Sequence, residues 1–188
     1  PELPRDVQIG GNEYAVTRET LDLGNQTLTQ ADFDALVQME NLQELCLTVD
    51  DVQTLAELAR LPQLKTLRVT LTSESYDLRM LGQCTALETL ELDGEAVQLA
   101  DFSDLAQLTS LKTLKLRMNG LQCIMGLENM TGLETLCVAD DAEQCAYDDL
   151  TPLAGLTQLK TLLLPAQENN EPLDIAPLAN LTQLQRLT

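Results

Sequence analysis

The segment Leu111-Lys-Thr-Leu-Lys-Leu116 sets the pattern for nearly the whole chain. Its frame has leucine or another aliphatic residue at the first, fourth and sixth positions, and it returns both before and after this segment. The fourth positions of the successive copies are Leu21, Leu45, Leu67, Leu90, Leu114, Leu136, Leu162 and Leu187. They follow one another at intervals of 22–26 residues. A repeat of this length with this frame predicts a solenoid, in which each repeat forms one coil of a stack.

The predicted fold is an α/β solenoid of the leucine-rich-repeat class, wound as a right-handed superhelix. Each L-x-x-L-x-L half should form a short strand of a parallel sheet, with its leucines inside and the intervening residues on the concave face. The returning half places apolar residues three apart, as in Leu105-Ala-Gln-Leu108, which predicts a turn of 3-10 or α-helix on the convex side. Leu81-Gly-Gln-Cys84 has a cysteine in that slot, so we expect Cys84 to be buried.

Residues 1–16 precede the repeats and differ from them in pattern. Apolar and polar residues alternate around Gly10-Gly11-Asn12, which predicts a β-hairpin with a glycine turn. We expect this hairpin to cap the first coil, because the terminal coils of a solenoid need a cover. The solenoid should then occupy residues 17–188 with about eight strands. The frame breaks off at Leu187 without a polar cap, so we expect an array that is truncated at its C-terminal end.

The composition excludes several classes of function. The chain has 30 Asp and Glu residues against 11 Lys and Arg, a net charge of −19. Nucleic acids and anionic lipids would be repelled, so we expect neither as a main partner. No apolar run approaches the length of a membrane span, so we expect no direct insertion by this segment. The chain has no histidine and no C-x-x-C pair, so the sequence predicts neither a metal site nor a cofactor.

The segments Leu153-Ala-Gly-Leu-Thr-Gln-Leu-Lys-Thr-Leu162 and Ile175-Ala-Pro-Leu-Ala-Asn-Leu-Thr-Gln-Leu184 carry a more specific signal. They resemble the P-L-x-x-L-T-x-L-x-x-L hallmark of the short-repeat, internalin-like domains of bacterial surface proteins, and the resemblance covers residues 21–188. The Asn that this family places after each strand is kept only at Asn119. The residues in its place elsewhere are Gln26, Asp50, Thr72, Glu95, Asp141 and Gln167. These departures predict irregular turns and uneven repeats.

The resemblance implies a non-catalytic recognition module of a bacterial protein that is secreted or displayed at the cell surface. Its expected partner is a protein or a glycan, held on the concave face or along the loop edge. One alternative is a structural spacer in a larger surface protein. A remoter alternative is a glycoside hydrolase that uses the concave carboxylates Glu91 and Asp93. Arg68, Lys115 and Arg117 flank these carboxylates, which favours ion pairs over a catalytic acid of raised pKa.

The solvent-facing residues of the strands form columns of alternating charge. One column reads Lys65, Glu88, Lys112, Glu134 and Lys160, and the next contains Arg68, Glu91 and Lys115. Neighbours in a parallel sheet lie about 4.8 Å apart, and opposite charges side by side stabilise by roughly 0.2–1 kcal/mol. We therefore expect a nearly neutral concave face, with most of the negative charge on turns, loops and the convex side.

Partner binding favours aromatic residues, arginine and isolated apolar side chains at the centre of an interface. These types occur on the predicted turns and on or beside the concave strands. The candidate partner-binding residues are Arg68, Tyr76, Glu91, Asp93, Lys115, Arg117, Tyr147 and Leu163.

Two of the five cysteines occupy equivalent places in consecutive repeats. Cys123 and Cys145 each lie twelve residues beyond the first leucine of a frame. Stacked equivalents would be about 5 Å apart, within the Cα range of a disulfide. The spacing therefore predicts a possible Cys123–Cys145 disulfide, with free thiols as the alternative.

Overall fold

The computed structural model describes residues 6–50, 52–72, 78–98, 101–119, 123–139, 147–165 and 172–188. Most of these residues belong to short strands and to the turns that connect them. The strands of the described part are β1 Asp6–Ile9, β2 Asn12–Ala15, β3 Thr20–Asp22, β4 Glu44–Val49, β5 Thr66–Leu71, β6 Thr89–Gln98, β7 Thr113–Asn119, β8 Thr135–Ala139, β9 Thr161–Leu163 and β10 Arg186–Leu187.

Strands β3 to β10 form one parallel sheet in the order of the sequence, eight strands within the described residues. Each strand pairs with the next one in the chain, so every connection is a single coil. The register aligns the repeat frames: Leu90 of β6 lies opposite Leu67 on one side and Leu114 on the other. The leucine-rich-repeat solenoid predicted from the sequence is therefore confirmed.

The core is a continuous stack of leucines. The fourth-position leucines of β4 to β9 are at most 1 % exposed, and neighbouring coils present the same residue to one another. Within the described residues no polar or charged residue is buried. A single coil has no interior of its own, so burial of the leucines between coils supplies most of the stability.

A repeated backbone hydrogen-bond pattern fixes the register just before each strand. The carbonyl of Lys65 accepts from the N–H groups of Glu88 and Thr89 of the next coil, at 2.8 and 2.9 Å. The carbonyl of Glu88 accepts in the same way from Lys112 and Thr113, and the pattern runs from Glu19 to Lys160. One carbonyl therefore holds two donors of the following coil, which places equivalent side chains next to each other.

In the described residues, the convex side carries one short α-helix and 3-10 segments of three to nine residues. Helix α1 is Gln30–Leu36, and a capping box begins it, in which Thr29 and Asp32 satisfy each other's backbone donors. The 3-10 segments of the described part are Val52–Arg60, Leu78–Gln83, Ser103–Leu105, Leu127–Asn129, Thr151–Leu153 and Ala176–Asn180. None of the helices in the described residues is long and apolar enough to cross a membrane.

The N-terminal hairpin packs onto this helix. Strands β1 and β2 are antiparallel, and Gly10 and Gly11 join them with positive φ values of 55° and 78°, a conformation that glycine adopts without steric cost. The N–H of Gly10 donates to Oδ1 of Asp32 at 2.8 Å. Ile9 is fully buried, so the hairpin shares the core of the first coil.

The described cysteines differ in their environments. Cys84 is 6 % exposed, as the repeat frame predicts, and burial raises the pKa of its thiol to about 11. Cys123 is half-buried. Cys145 lies outside the described residues, so the disulfide between these two cysteines remains a prediction.

Replacing one fourth-position leucine with alanine tests the stacked core. We expect Leu114→Ala to lower the free energy of unfolding by about 2–5 kcal/mol, because the side chain is fully buried between two coils. Leu187→Ala is the matched control, since Leu187 holds the same place in its frame but is 56 % exposed. Urea unfolding measures both. Equal losses would contradict a core built from the inner coils.

The raised pKa of Cys84 should appear in its reactivity. At about pH 8 we expect Cys84 to react with iodoacetamide at least tenfold more slowly than the half-buried Cys137, because the thiolate is the nucleophile and Cys84 is buried. Peptide mass spectrometry of the labelled native protein gives the rate at each site. Equal rates in the native protein would show that Cys84 is accessible.

Candidate functional site on the concave sheet

A depression of about 540 Å³ lies on the outward face of the central strands. It extends from β4 to β9, and its floor is the backbone and the shorter side chains of these strands. Its lining includes six of the residues singled out from the sequence, namely Arg68, Glu91, Asp93, Lys115, Arg117 and Leu163. The register explains this grouping, because residues that are 22–26 positions apart in the chain lie on adjacent strands.

The centre of the depression is an ion triad. Glu91 of β6 lies between Arg68 of β5 and Lys115 of β7. Nε of Arg68 donates to one carboxylate oxygen at 3.2 Å, and Nζ of Lys115 donates to the other at 2.9 Å. Partial burial raises the pKa of Glu91, but the bonds and charges of Lys115 and Arg68 outweigh it, and the net pKa is lowered. Glu91 is therefore held as a carboxylate.

A parallel row of ion pairs borders the depression at the start of the strands. Glu88 accepts a hydrogen bond from Lys112 and lies 3.3 Å from Nζ of Lys65. Glu134 accepts from Lys160 in the same way. The hydrogen bonds from these lysines lower the pKa of both glutamates, and the bond to Glu88 raises the pKa of Lys112. The column of alternating charge predicted from the sequence thus forms ion pairs from Lys65 to Lys112 and again from Glu134 to Lys160.

Another ion pair borders the depression on the side opposite this row. Asp93 of β6 lies beside Arg117 of β7, with 3.8 Å between a carboxylate oxygen and a guanidinium nitrogen. Beyond Asp93 the pairing of β6 with β7 becomes irregular and resumes where Gln98 lies opposite Asn119. This irregularity agrees with the uneven turns expected from the missing asparagines.

The end of the depression near β8 and β9 is apolar. Cys137 of β8 lies opposite Leu163 of β9, and the exposed Ala139 follows two residues later on the same face. Desolvation raises the pKa of the Cys137 thiol, although the charges of Lys115 and Arg186 oppose the shift. This end therefore offers a neutral surface beside the charged centre.

The predicted contact residue Tyr147 does not line this site. Tyr147 is only 3 % exposed, and its hydroxyl donates to the carbonyl of Pro165 at 2.6 Å. The expectation that Tyr147 is an exposed binding residue is therefore wrong, because its ring completes the core of a coil and its hydroxyl is used internally. Tyr76 lies outside the described residues.

The sequence reasoning missed Cys46 and Thr70 as lining residues of the depression. Cys46 precedes Arg68 in the same column, so the column itself was the signal that could have found it. Desolvation and the neighbouring Asp22 carboxylate raise the pKa of the Cys46 thiol. Its neutral thiol lies between the Asp22 carboxylate and the Arg68 end of the triad.

A second, smaller depression of about 390 Å³ lies at the carboxyl ends of β4 and β5. It is lined by Gln26, Asp50 and Thr72, three of the residues that replace the asparagine of the family pattern. The hydroxyl of Thr72 donates to the carbonyl of Val49 at 3.2 Å. Part of the backbone-bonding role of the missing asparagine is thus taken over by a threonine.

The lowered pKa values predict how stability depends on pH. A carboxylate whose folded pKa is depressed stabilises above its unfolded pKa, and this contribution is lost as the pH falls through the folded value. For Glu88 and Glu91 the loss begins below about pH 4.5. We expect the Glu88→Gln/Glu91→Gln variant to lose stability less steeply on acidification than the wild type. Urea unfolding between about pH 5 and pH 3 measures the slopes.

The control for that experiment removes two acids elsewhere. Glu13 and Glu40 are exposed, and neither forms an ion pair with another described residue. The Glu13→Gln/Glu40→Gln variant should keep the slope of the wild type. If the ladder variant also keeps that slope, the ion pairs of the concave face do not contribute to acid stability.

Comparison with known proteins supports the fold through structures alone. No family model matches the chain, and no curated protein matches it in sequence. Internalin C2 of Listeria monocytogenes superposes with a TM-score of 0.69 and 23 % identity, over 94 % of this chain and 75 % of that one. An internalin of the same organism, inlF, gives a TM-score of 0.59 and 29 % identity, over 81 % of this chain and 49 % of that one.

A TDR receptor gives a TM-score of 0.57 at 19 % identity, over 86 % of this chain and 28 % of that one. This chain thus spans about half of the inlF structure and about a quarter of the receptor. The likeness to these solved structures concerns the fold alone. The repeated leucine frame, the parallel sheet of eight strands within the described residues and the likeness to internalin structures show that the chain has a leucine-rich-repeat solenoid fold.

Proposed function

We propose that this chain is a recognition module of a bacterial protein that is secreted or displayed at the cell surface, and that it binds another protein on its concave face. The observation that carries the proposal is the central depression, in which an ion triad adjoins an apolar end. Charged groups fix the orientation of a partner, and a buried apolar contact contributes affinity. The surface location is supported by the likeness to internalins of Listeria monocytogenes.

The same geometry argues against a glycoside hydrolase. Such an enzyme needs one carboxyl group that stays protonated near neutral pH. Glu91 and Glu88 have lowered pKa values because lysine and arginine hold them as carboxylates. The depression is also shallow and open along the sheet, and it excludes little water. Recognition without catalysis therefore accounts better for the arrangement of charges.

We further propose the division of the chain into an N-terminal cap, residues 1–16, and a solenoid, residues 17–188. The packing of Ile9 against the first coil and the bond from Gly10 to Asp32 support the role of the hairpin as a cap. The hairpin lies at the opposite end of the sheet from β8 and β9. It therefore leaves the depression open to a partner.

A matched pair of apolar-to-acidic changes tests the concave site. We expect Leu163→Glu to reduce binding of a captured protein partner at least tenfold, because it places a charge at the apolar end of the depression. Met125→Glu is the control, since Met125 is 58 % exposed and does not line the depression. Cross-linking capture from bacterial and host cell-surface extracts supplies the partner, and surface plasmon resonance measures its affinity.

The two variants separate the possible results. Loss of binding in Leu163→Glu alone supports the concave face as the interface. Loss in neither variant would contradict it. If cross-linking captures no protein from either the bacterial or the host extract, the proposal of a recognition module is wrong and the chain is better interpreted as a structural spacer.

A further inference from the structure

We propose that the concave depression selects a protein segment that carries an acidic side chain about 10 Å from an aliphatic one. This inference rests on the proposed function and names the chemistry of the partner. It follows from three features of the described face: an excess of cations at its centre, the exposure of those cations to solvent, and the position of the apolar end.

The excess lies in the four-cation cluster, which consists of Lys65, Arg68, Lys112 and Lys115. Among the described residues, the salt bridges of these four cations go to two carboxylates. Glu88 contacts Lys65 and Lys112, and Glu91 contacts Arg68 and Lys115. The described centre of the face therefore has a charge of about +2 from these six residues, whereas the whole chain has −19.

The cations are also more exposed than the carboxylates that they share. The side chains of Glu88 and Glu91 are 33 % and 29 % exposed, whereas those of the four-cation cluster are 47–57 % exposed. A partner on this part of the sheet can therefore contact a larger fraction of the cationic side chains than of the carboxylate side chains. The neighbouring pairs Asp93–Arg117 and Glu134–Lys160 are balanced and do not change this difference.

The cluster keeps donors for an incoming carboxylate. Arg68 donates to Glu91 through Nε, and within the described residues its two terminal nitrogens have no protein acceptor. Lys115 uses one of its three N–H donors for Glu91. A carboxylate placed over Arg68 and Lys115 would accept charge-assisted hydrogen bonds, which are stronger and shorter than neutral ones.

The negative charge of the remaining surface makes this choice selective. An acidic segment is repelled from most of the molecule and attracted only where cations outnumber acids, which directs it to the cluster. A cationic segment would be attracted to many acidic surfaces, but it would meet the exposed cations at the centre of the depression. The charge distribution therefore favours an acidic partner at this site.

The apolar end of the depression determines where the aliphatic side chain of the partner would bind. Cys137 and Leu163 lie one and two strands beyond Lys115 in the same column. Two strand spacings amount to about 10 Å. An extended segment crosses that distance in roughly three residues. An acidic residue followed two to four residues later by leucine would thus reach both Lys115 and Leu163.

A peptide array provides the test with the intact chain. Each probe is a nonapeptide with one leucine and, two to four residues before it, one variable residue that is Glu, Gln or Lys. Fluorescence polarisation measures binding. We expect the Glu peptides to bind at least tenfold more tightly than the Gln and Lys peptides, with the best spacing within that range.

Variants of the chain test whether the four-cation cluster causes the preference for Glu peptides. Arg68→Gln/Lys115→Gln should abolish the preference for Glu. The control Arg60→Gln/Arg79→Gln removes the same charge from 3-10 segments on the convex side and should retain the preference. Urea unfolding of each variant confirms that it is folded before its binding is compared.

The outcomes separate this inference from the proposed function. If Gln or Lys peptides bind as well as Glu peptides, and Leu163→Glu still abolishes their binding, the acidic partner is wrong and the concave recognition site stands. If Glu peptides bind equally to the wild type, to Leu163→Glu and to Arg68→Gln/Lys115→Gln, both proposals fail.

Discussion

The structure depends on one constraint: every coil must present its leucine to the same residue of the coils beside it. The backbone enforces this alignment where each strand begins, because one carbonyl accepts two N–H groups of the next coil. Once the backbone is held in this way, Leu67, Leu90 and Leu114 are forced into one layer. The hydrophobic core and the order of side chains on the outer face then follow from the same alignment.

The same alignment of the coils also positions the side chains that form ion pairs on the concave face. Lys65, Glu88 and Lys112 carry the carbonyl and amide groups that set the register, and their side chains pair across the same strands. Exposed ion pairs contribute little energy individually. Their main effect here is on the distribution of charge, because the cations lie on the concave face and most of the unpaired acidic residues lie elsewhere.

The repeat frame predicted the sheet, its strand order and the columns of charge, since these features depend only on regular spacing. Arg68, Glu91 and Lys115 could be placed together from their positions in three consecutive frames. Tyr147 could not be placed, because it follows an insertion that the frame does not cover, and only tertiary packing decides that its ring is buried. Cys46 was missed because a thiol carries no charge signal, although its column position was plain.

Lysine and glutamate alternate from one coil to the next along this column, so the number of coils between two residues decides whether their charges are alike or opposite. Removing the coil that carries Glu88 would bring Lys65 beside Lys112, and two like charges would meet on adjacent strands. Removing the Glu88 and Lys112 coils together would bring Lys65 beside Glu134, and the alternation would survive. In this part of the chain, loss of one coil therefore places like charges side by side, whereas loss of two adjacent coils preserves the alternation.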